Sequence, residues 1–208
     1  MIRRPIEMFV LTSTQAKLLP PLIKKANLDV REQVVSYCLS ALAKDYVSAQ
    51  ACFLAVYLLD CVLGKRVVAP KKDKLLAAIL IKNAGTYEDN SFTDRDIGNL
   101  WTGDQEHFRH VEREVLEVLE YEKRWKGPLL FVNELSNNLI SIPVSLDNLL
   151  PSSAETTAFI LKVSLFNSAM ALQLPSLVAA AAHCLAVSIV EEALLVCPSA
   201  TLDSTQCD

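Results

Sequence analysis

The sequence predicts an all-α protein, and three features support that fold class. Residues Leu75–Ile81 are apolar at every position and rich in Ala and Leu, which favours a helix surrounded by other helices. A second run of the same character, Pro175–Ala186, follows later in the chain. The composition is 51% hydrophobic with only five glycines, which suits packed helices better than a sandwich or a barrel.

The two apolar runs have similar neighbours. Phe53–Asp60 precedes the first run and Phe159–Asn167 precedes the second, and both segments favour helix. Two weakly similar helical units in tandem are therefore the simplest prediction. The alternative is one irregular bundle in which the similarity arose by chance. A length of 208 residues accommodates one or two domains.

The N-terminal part of the chain, residues 1–29, is predicted to be an arm that packs on the body. Two consecutive prolines, Pro20 and Pro21, prevent one long helix there. The periodic run Val30–Leu42 then predicts the first helix of the body. Asp29 is its expected N-cap, because a short carboxylate side chain can accept a hydrogen bond from the first turn.

A basic connector follows the second predicted helix. Ser48 is the expected N-cap of that helix, the apolar pattern runs to Leu63, and Gly64 is expected to end it. Five cations then lie between Lys65 and Lys74. A solvated turn is the usual structure of such a segment, and a phosphate-binding patch is the alternative.

Three further helices complete the first predicted unit. The third contains the first apolar run and covers 74–87, the fourth covers Thr93–Trp101, and the fifth covers Asp104–Tyr121. The fifth helix is amphipathic, with charged residues on its outer face. Its apolar stripe consists of Phe108, Val111, Val115, Leu116 and Leu119.

The best internal boundary is the Gly127–Pro128 pair, because both residues interrupt helices. The longest apolar stretch beyond it, Leu174–Val190, is interpreted as a core helix rather than a membrane span, since it contains His183 and is followed by two glutamates. A polar tail ends the chain. The helices predicted in this part lie near 129–139, 154–172 and 175–195.

Charge and cysteine content restrict the partners and the compartment. A net charge of −4 argues against a general nucleic-acid-binding surface, so we expect no nucleic-acid partner. Six cysteines occur without a CxxC or Cys/His metal spacing, and we interpret them as reduced, mostly buried thiols of an intracellular protein. The first seven residues lack the apolar core of a signal peptide, and we expect no membrane partner.

No catalytic motif is present in the sequence. It contains no glycine-rich phosphate loop, no GxSxG and no HExxH. His107, His110 and Glu114 share one face of the fifth predicted helix and offer metal-ligating atoms, but exposed polar residues on an acidic helix are the preferred interpretation. The residues therefore predict a non-enzymatic interaction protein with no catalytic residues, no metal and no cofactor.

Motifs in the predicted helices resemble those of a known family. The first helix contains Val-Arg-Glu-Gln-Val, with Arg31, and the second contains Leu-Leu-Asp, with Asp60. The third ends in Ala-Gly-Thr-Tyr-Glu-Asp around Thr86, and the fifth contains Glu112 followed by Val-Leu-Glu-Val-Leu-Glu-Tyr. In their types, order and spacing these motifs resemble the cyclin family over residues 30–190.

The resemblance implies an all-α, cyclin-like fold. Residues 30–126 would form a five-helix first cyclin box, after the arm of residues 1–29. Residues 127–208 would form a truncated second cyclin-fold repeat with a polar tail, because the few residues after Val190 leave no room for two further helices. We expect the helix near 175–195 to expose apolar surface as a result, which favours self-association or a partner that caps this end.

The resemblance also implies roles for individual residues. The first and second helices of cyclins are joined by an internal ion pair, here Arg31 and Asp60. A groove between the third and fifth helices binds the αC helix of a cyclin-dependent-type kinase. The residues expected to contact the kinase are Thr86, Glu112, Lys82 and Leu116.

Two departures from the family pattern affect this groove. Cyclins have a Lys where this chain has Thr86, and an apolar pair where it has Lys82-Asn83. A threonine hydroxyl cannot span the distance that a lysine side chain spans. Lys82 lies one helical turn before Thr86, so it is expected either to replace the family's Lys as the partner of Glu112 or to point into solvent.

The functional prediction is a non-enzymatic regulatory subunit that binds and activates a cyclin-dependent-type protein kinase in the nucleus and/or cytoplasm. The alternative is a cyclin-fold interaction module or scaffold that no longer activates a kinase. The same fold binds peptides in retinoblastoma-type proteins and contacts DNA in a general transcription factor, although the acidic pI argues against the latter role. A helical scaffold unrelated to cyclins would leave the spacings of Arg31, Asp60 and Glu112 unexplained.

Overall fold

The structure is a computed structural model that describes residues 19–69, 72–89, 93–120, 127–132 and 150–196. All regular secondary structure in these ranges is helical, which confirms the all-α prediction. Short 3₁₀ turns at Lys25–Asn27 and Met170–Leu172 and a helical segment at 128–132 accompany the longer helices. The longer helices are α1 (Leu28–Ala43), α2 (Ala49–Lys65), α3 (Asp73–Glu88), α4 (Asp94–Leu100), α5 (Gln105–Val118), α6 (Leu150–Ser164) and α7 (Pro175–Val196).

The chain forms two compact units. The first contains the residues up to Gly127 together with Lys162–Pro175, and the second contains Pro128–Leu161 and the residues from Ser176 onward. The ranges inferred from the resemblance, 1–29, 30–126 and 127–208, stay predictions, because compactness alone does not define a sequence repeat.

Helix α3 is the centre of the first unit. Every residue from Leu75 to Ile81 is at most 4% exposed, and α1, α2, α4 and α5 all contact this helix. A helix that is apolar on every side requires neighbours on every side, and here it has them. Fully burying one Leu or Ile contributes about 1.5–3 kcal/mol, so the buried Leu and Ile side chains of α3 contribute substantially to the stability of this unit.

The ends of α1 and α2 show which capping predictions hold. Ser48 is the N-cap of α2, and its Oγ accepts a hydrogen bond from the Ala51 backbone N–H at 3.1 Å, as predicted. Asp29 is not the N-cap of α1, because the helix begins at Leu28 and follows Asn27. The Asn27 side chain is buried and bonds to the segment after α2, so it is not available as a cap.

Gly64 does not end α2 as predicted, since the helix continues to Lys65. A Cβ atom at Gly64 would lie 2.4 Å from Cγ and 2.7 Å from the carbonyl oxygen of Pro21. The N-terminal segment therefore crosses α2 at a point where only glycine leaves enough space. The residue is required by close approach of two segments, and not by a helix terminus.

A buried ion pair joins α1, α2 and the turn after α6 within the first unit. Arg31 Nε donates to Asp60 Oδ1 at 2.7 Å and Nη2 donates to Oδ2 at 3.1 Å, with side-chain exposures of 3% and 2%. The remaining nitrogen, Nη1, donates to the carbonyl oxygens of Leu165 at 2.7 Å and Phe166 at 3.2 Å. Burial raises the pKa of the Asp60 carboxyl, and the Arg31 guanidinium opposes that shift.

Helix α7 is buried on one face only, which corrects its interpretation as a core helix. Ala179, Ala182, Ala186 and Val190 are buried, whereas Leu177, Leu185 and Ile189 are about half exposed. The predicted uncovered apolar surface is therefore present on this helix. By length and composition alone, the stretch Pro175–Ala193 is long and apolar enough to cross a membrane, and 28% of it is buried in the structure. The mostly buried core helices of soluble proteins pass the same test of length and hydropathy.

The cysteines that the structure describes, Cys38, Cys52, Cys61 and Cys184, are free thiols. Cys38 and Cys52 are buried and Cys61 is half-buried, but Cys184 is exposed on α7, contrary to the expectation of mostly buried thiols as applied to this residue. The expectation was wrong because α7 packs only one of its faces. Burial raises the pKa of Cys52 to about 12 and that of Cys61 to about 11. Cys197 and Cys207 lie outside the described residues.

The substitution Arg31→Ala should destabilise the folded chain. It leaves the Asp60 carboxylate buried without a partner, and breaking a buried pair in this way costs about 3–5 kcal/mol. Without Arg31, burial alone acts on the pKa of Asp60 and raises it further. The buried carboxylate is charged, and destabilises the fold, at pH values above this raised pKa. As the pH falls through the pKa the carboxyl group becomes neutral, so Arg31→Ala should lose less free energy of unfolding at pH 5 than at pH 7.

Urea unfolding of Arg31→Ala at both pH values measures this effect. Arg109→Ala, at an exposed arginine on α5, is the matched control and should change stability little. The double variant Arg31→Met/Asp60→Leu removes both charges and should recover part of the loss. An Arg31→Ala variant as stable as the wild type would contradict the proposed importance of this pair.

Thiol labelling of the native chain should separate the described cysteines into two classes. At pH 8 a thiol with a pKa of about 11 is ionised in about one molecule in a thousand, so Cys61, Cys52 and the buried Cys38 should react slowly. Cys184 should react fast. Peptide mass spectrometry after timed alkylation identifies each site, with the urea-unfolded chain as the control in which all six react. Equal rates for Cys61 and Cys184 would contradict the assignment.

Candidate functional site

The candidate site lies where the second half of α3 faces the middle of α5. The apolar run of α3 ends at Ile81, and the next two residues, Lys82 and Asn83, carry polar side chains toward α5. Glu112 is on the facing side of α5, whose buried stripe packs the helix against the core. We call Lys82, Asn83, Thr86, Glu112 and Leu116 the α3–α5 groove.

A partly buried ion pair occupies the centre of the groove. Lys82 Nζ lies 2.7 Å from Glu112 Oε2, and the side chains are 27% and 14% exposed. Lys82 Nζ also lies 5.6 Å from the centroid of the buried Phe108 ring, within the range of a cation–π interaction. Lys82 therefore turns toward Glu112 and Phe108. It does not adopt the other orientation considered for it, in which the side chain points into solvent.

Asn83 engages the other oxygen of the same carboxylate. Its Nδ2 donates to Glu112 Oε1 at 3.3 Å and to the Ile79 carbonyl oxygen at 2.9 Å. Both carboxylate oxygens of Glu112 thus accept hydrogen bonds from α3. Asn83 was absent from the predicted site residues, although an amide directly after the apolar run was a usable signal, because buried amides require partners.

Thr86 and Leu116 lie beside this pair without joining it. The Thr86 side chain is exposed, and its Oγ1 donates to the Lys82 carbonyl oxygen at 2.8 Å within its own helix. This local bond is typical of a helical threonine and directs the hydroxyl back along α3. Leu116, one turn after Glu112, is half-buried. The structure thus brings Lys82 and Glu112 together and places Thr86 at the exposed edge.

The residues considered as metal ligands do not form a metal site. His110 Nε2 and Glu114 Oε1 are 3.4 Å apart in an exposed i,i+4 contact, and His107 is also exposed. In the part of the chain that the structure describes, no three His, Cys, Asp or Glu side chains are grouped so as to hold an ion.

Sequence comparison relates the chain to one curated protein. No protein-family model matches the chain. It is 24% identical over 160 residues to the G2/mitotic-specific cyclin-4 of Candida albicans, an alignment that covers 74% of this chain. The chain spans about a third of the length of that relative, 31%.

Structural comparison gives a stronger match. The X-ray structure of a viral cyclin from herpesvirus saimiri superposes with a TM-score of 0.72 at 19% sequence identity. The superposition covers 86% of this chain and 82% of the viral protein. At this identity the match establishes the fold, and the groove described above lies within that fold. The structural match and the weak sequence similarity together identify the chain as a cyclin-like protein.

Proposed function

We propose that the chain is a non-enzymatic regulatory subunit that binds and activates a cyclin-dependent-type protein kinase through the α3–α5 groove. The observation that carries this proposal is the Lys82–Glu112 pair, which sets a cation and a carboxylate side by side between α3 and α5 of a cyclin-like fold. A cation and a carboxylate together can bind the free carbonyl oxygens and N–H groups of a partner's backbone.

The proposed mechanism is a shift in the kinase's conformational equilibrium. The groove would bind the kinase αC helix in its inward position, where the catalytic Lys–Glu pair of the kinase forms and the activation loop opens. Activation then requires that the groove bind the inward state more tightly than the outward state. Leu116 and its apolar neighbours would supply contact area, while Lys82 and Glu112 would fix the orientation.

In this proposal Lys82 replaces the lysine that cyclins carry at the position of Thr86. Its ammonium already lies 2.7 Å from Glu112, and the Phe108 ring supports the same end of the side chain. Binding would redirect some of these hydrogen bonds from within the chain to the kinase backbone. Charge-assisted hydrogen bonds contribute about 1.5–3 kcal/mol each, so the exchange is favourable only if the new bonds are desolvated.

A second candidate function is a cyclin-fold interaction module that does not activate a kinase. The specific observation in its favour is that both oxygens of Glu112 are already engaged by α3 and that the Thr86 hydroxyl is bonded within its own helix. When the polar groups of a groove already have hydrogen-bond partners within the chain, fewer new hydrogen bonds form on binding a kinase backbone. Such a protein would use other surfaces to bind its partners.

We further propose that the protein acts inside the cell, in the nucleus and/or cytoplasm, where its kinase partner would be. The free, mostly buried thiols of the first unit are consistent with a reducing compartment. The exposed apolar side chains of α7 support a proposed second contact, either self-association or a capping partner. Sedimentation analysis over a range of concentrations distinguishes these two.

A pull-down from native lysate with mass-spectrometric identification of kinases tests the main proposal. Recovery of a cyclin-dependent-type kinase, and stimulation of its activity by the purified chain, would support regulation. Recovery of a kinase without stimulation, or of partners without any kinase, would favour the interaction module.

Binding titrations of groove variants with the recovered kinase test the role of each residue. We expect Lys82→Ala and Glu112→Ala each to weaken binding about tenfold or more, which corresponds to about 1.4 kcal/mol. Thr86→Lys should restore affinity to Lys82→Ala, because it returns a cation to the family's position. Lys44→Ala, at an exposed lysine outside the groove, is the matched control.

The two single variants separate two parts of the proposal. Wild-type affinity in Lys82→Ala would end the idea that Lys82 replaces the family's lysine. Wild-type affinity in Glu112→Ala would end the assignment of this groove as the kinase site. Thermal unfolding of each variant distinguishes a loss of contact from a loss of fold, since each change also removes an internal hydrogen bond.

A further inference from the structure

A cavity of about 270 Å³ lies on the other side of α5 from the groove, and the proposed function does not use it. Its floor is apolar and includes the buried side chains of Val62, Leu76 and Val115. Its rim carries three exposed charged residues, Arg66, Lys72 and Glu114. We call it the connector cavity, because the segment 66–69 between α2 and α3 forms one wall.

The connector cavity and the α3–α5 groove use different faces of α5. Successive residues of an α-helix are about 100° apart around the axis, so Val111 lies about 100° from Glu112 and Glu114 about 160° from it in the same rotational sense. Val111 and Glu114 line the cavity, whereas Glu112 belongs to the groove. A ligand in the cavity would therefore leave the groove accessible.

Buried hydrogen bonds fix the connector wall of the cavity. Asn27 Nδ2 donates to the carbonyl oxygens of Leu63 at 2.7 Å and Arg66 at 2.6 Å, and Asn27 Oδ1 accepts from the Val68 N–H at 3.1 Å. All of these partners belong to the end of α2 or to the connector. A single buried amide thus holds the connector in one conformation, and the cavity is formed before any ligand arrives.

The opposite wall of the cavity, formed by α5, is hydrogen-bonded to the C-terminal end of α2. Lys65 Nζ donates to the Val118 carbonyl oxygen at 3.0 Å and to Glu120 Oε1 at 2.8 Å. This contact joins the last residue of α2 to the last turn of α5. Lys65 is thus paired with a carboxylate, whereas Arg66 and Lys72 form no ion pair with the residues that the structure describes.

The size and charge of the cavity indicate its ligand. Small-molecule sites usually have about 300–1,000 Å³, so this cavity is better suited to a single side chain than to a cofactor. Its apolar floor suits an aliphatic group, and the exposed cations at its rim, Arg66 and Lys72, suit a neighbouring carboxylate. We propose that the connector cavity docks a short segment of a partner protein, which inserts one aliphatic side chain and places a carboxylate beside Arg66 and Lys72.

The third rim charge gives the docked segment a direction. Glu114 belongs to α5, and its carboxylate lies 3.4 Å from Nε2 of His110, a residue that does not line the cavity. A second carboxylate next to Glu114 would be repelled. The acidic part of the segment therefore lies over the connector, and its neutral or basic part lies over α5.

Fluorescence anisotropy with labelled peptides tests this proposal on the full chain. The probes are eight-residue Gly/Ser peptides that carry one Leu and two Glu residues at varied spacing. The matched panels replace Glu by Gln or Leu by Ala. We expect at least one Leu/Glu peptide to bind about tenfold more tightly than both of its matched peptides, and to weaken as salt is added.

Variants of the chain test whether the peptide binds in the connector cavity. Arg66→Glu and Lys72→Glu should each weaken the peptide about fivefold or more, and Ala69→Phe should weaken it by filling the cavity without a change in charge. Lys44→Glu makes the same charge change at an exposed lysine that does not line the cavity and should have less than about a twofold effect. All four positions are exposed, and thermal unfolding verifies that each variant folds.

Several outcomes would overturn the proposal. Equal affinity for the Leu/Glu and Ala/Glu panels would mean adventitious anion binding, and insensitivity to Arg66→Glu and Lys72→Glu would place the peptide elsewhere. A wild-type dimer that Arg66→Glu converts to a monomer in sedimentation would make a second copy of the chain the occupant. The titration contains no kinase, so its result does not depend on the proposed kinase binding.

Discussion

The buried ion pair between Arg31 and Asp60 is the interaction on which the first unit depends. Removing two charges from water costs free energy, which their mutual attraction offsets only when the contact geometry is good. Here the guanidinium and the carboxylate form a bidentate contact, which supplies two charge-assisted hydrogen bonds. The guanidinium also donates to the carbonyl oxygens of Leu165 and Phe166. One side chain thereby joins α1, α2 and the turn after α6.

Helix α3 combines two functions along its length. Its first half, Leu75–Ile81, is buried on every side and holds the helix in place. Its second half carries Lys82 and Asn83 toward Glu112 of α5. The groove is therefore built on a helix that cannot shift without opening the core, which keeps its polar groups in a defined geometry.

The N-terminal segment and the connector extend the same scaffold to a second surface. Pro21 packs against Gly64, and Asn27 bonds both the end of α2 and the connector. Lys65 then ties α2 to the end of α5. Helix α5 consequently has one face in the α3–α5 groove and another in the connector cavity, and both faces are positioned by contacts to α2 and α3.

The sequence by itself determined the features that depend on local pattern: the all-α fold class, the burial of Leu75–Ile81 and the cap at Ser48. Apolar periodicity and capping chemistry act within a few residues of each other, so they can be read along the chain. The resemblance to cyclins added the pairing of Arg31 with Asp60, and its motifs in the third and fifth helices indicated the groove with Glu112. Only the tertiary structure decided the roles of Gly64, Asn27 and Asn83, the exposure of Cys184 and the direction of Lys82. Each of these depends on which distant segment lies opposite the residue, and close approach between distant segments leaves no periodic signal in the sequence.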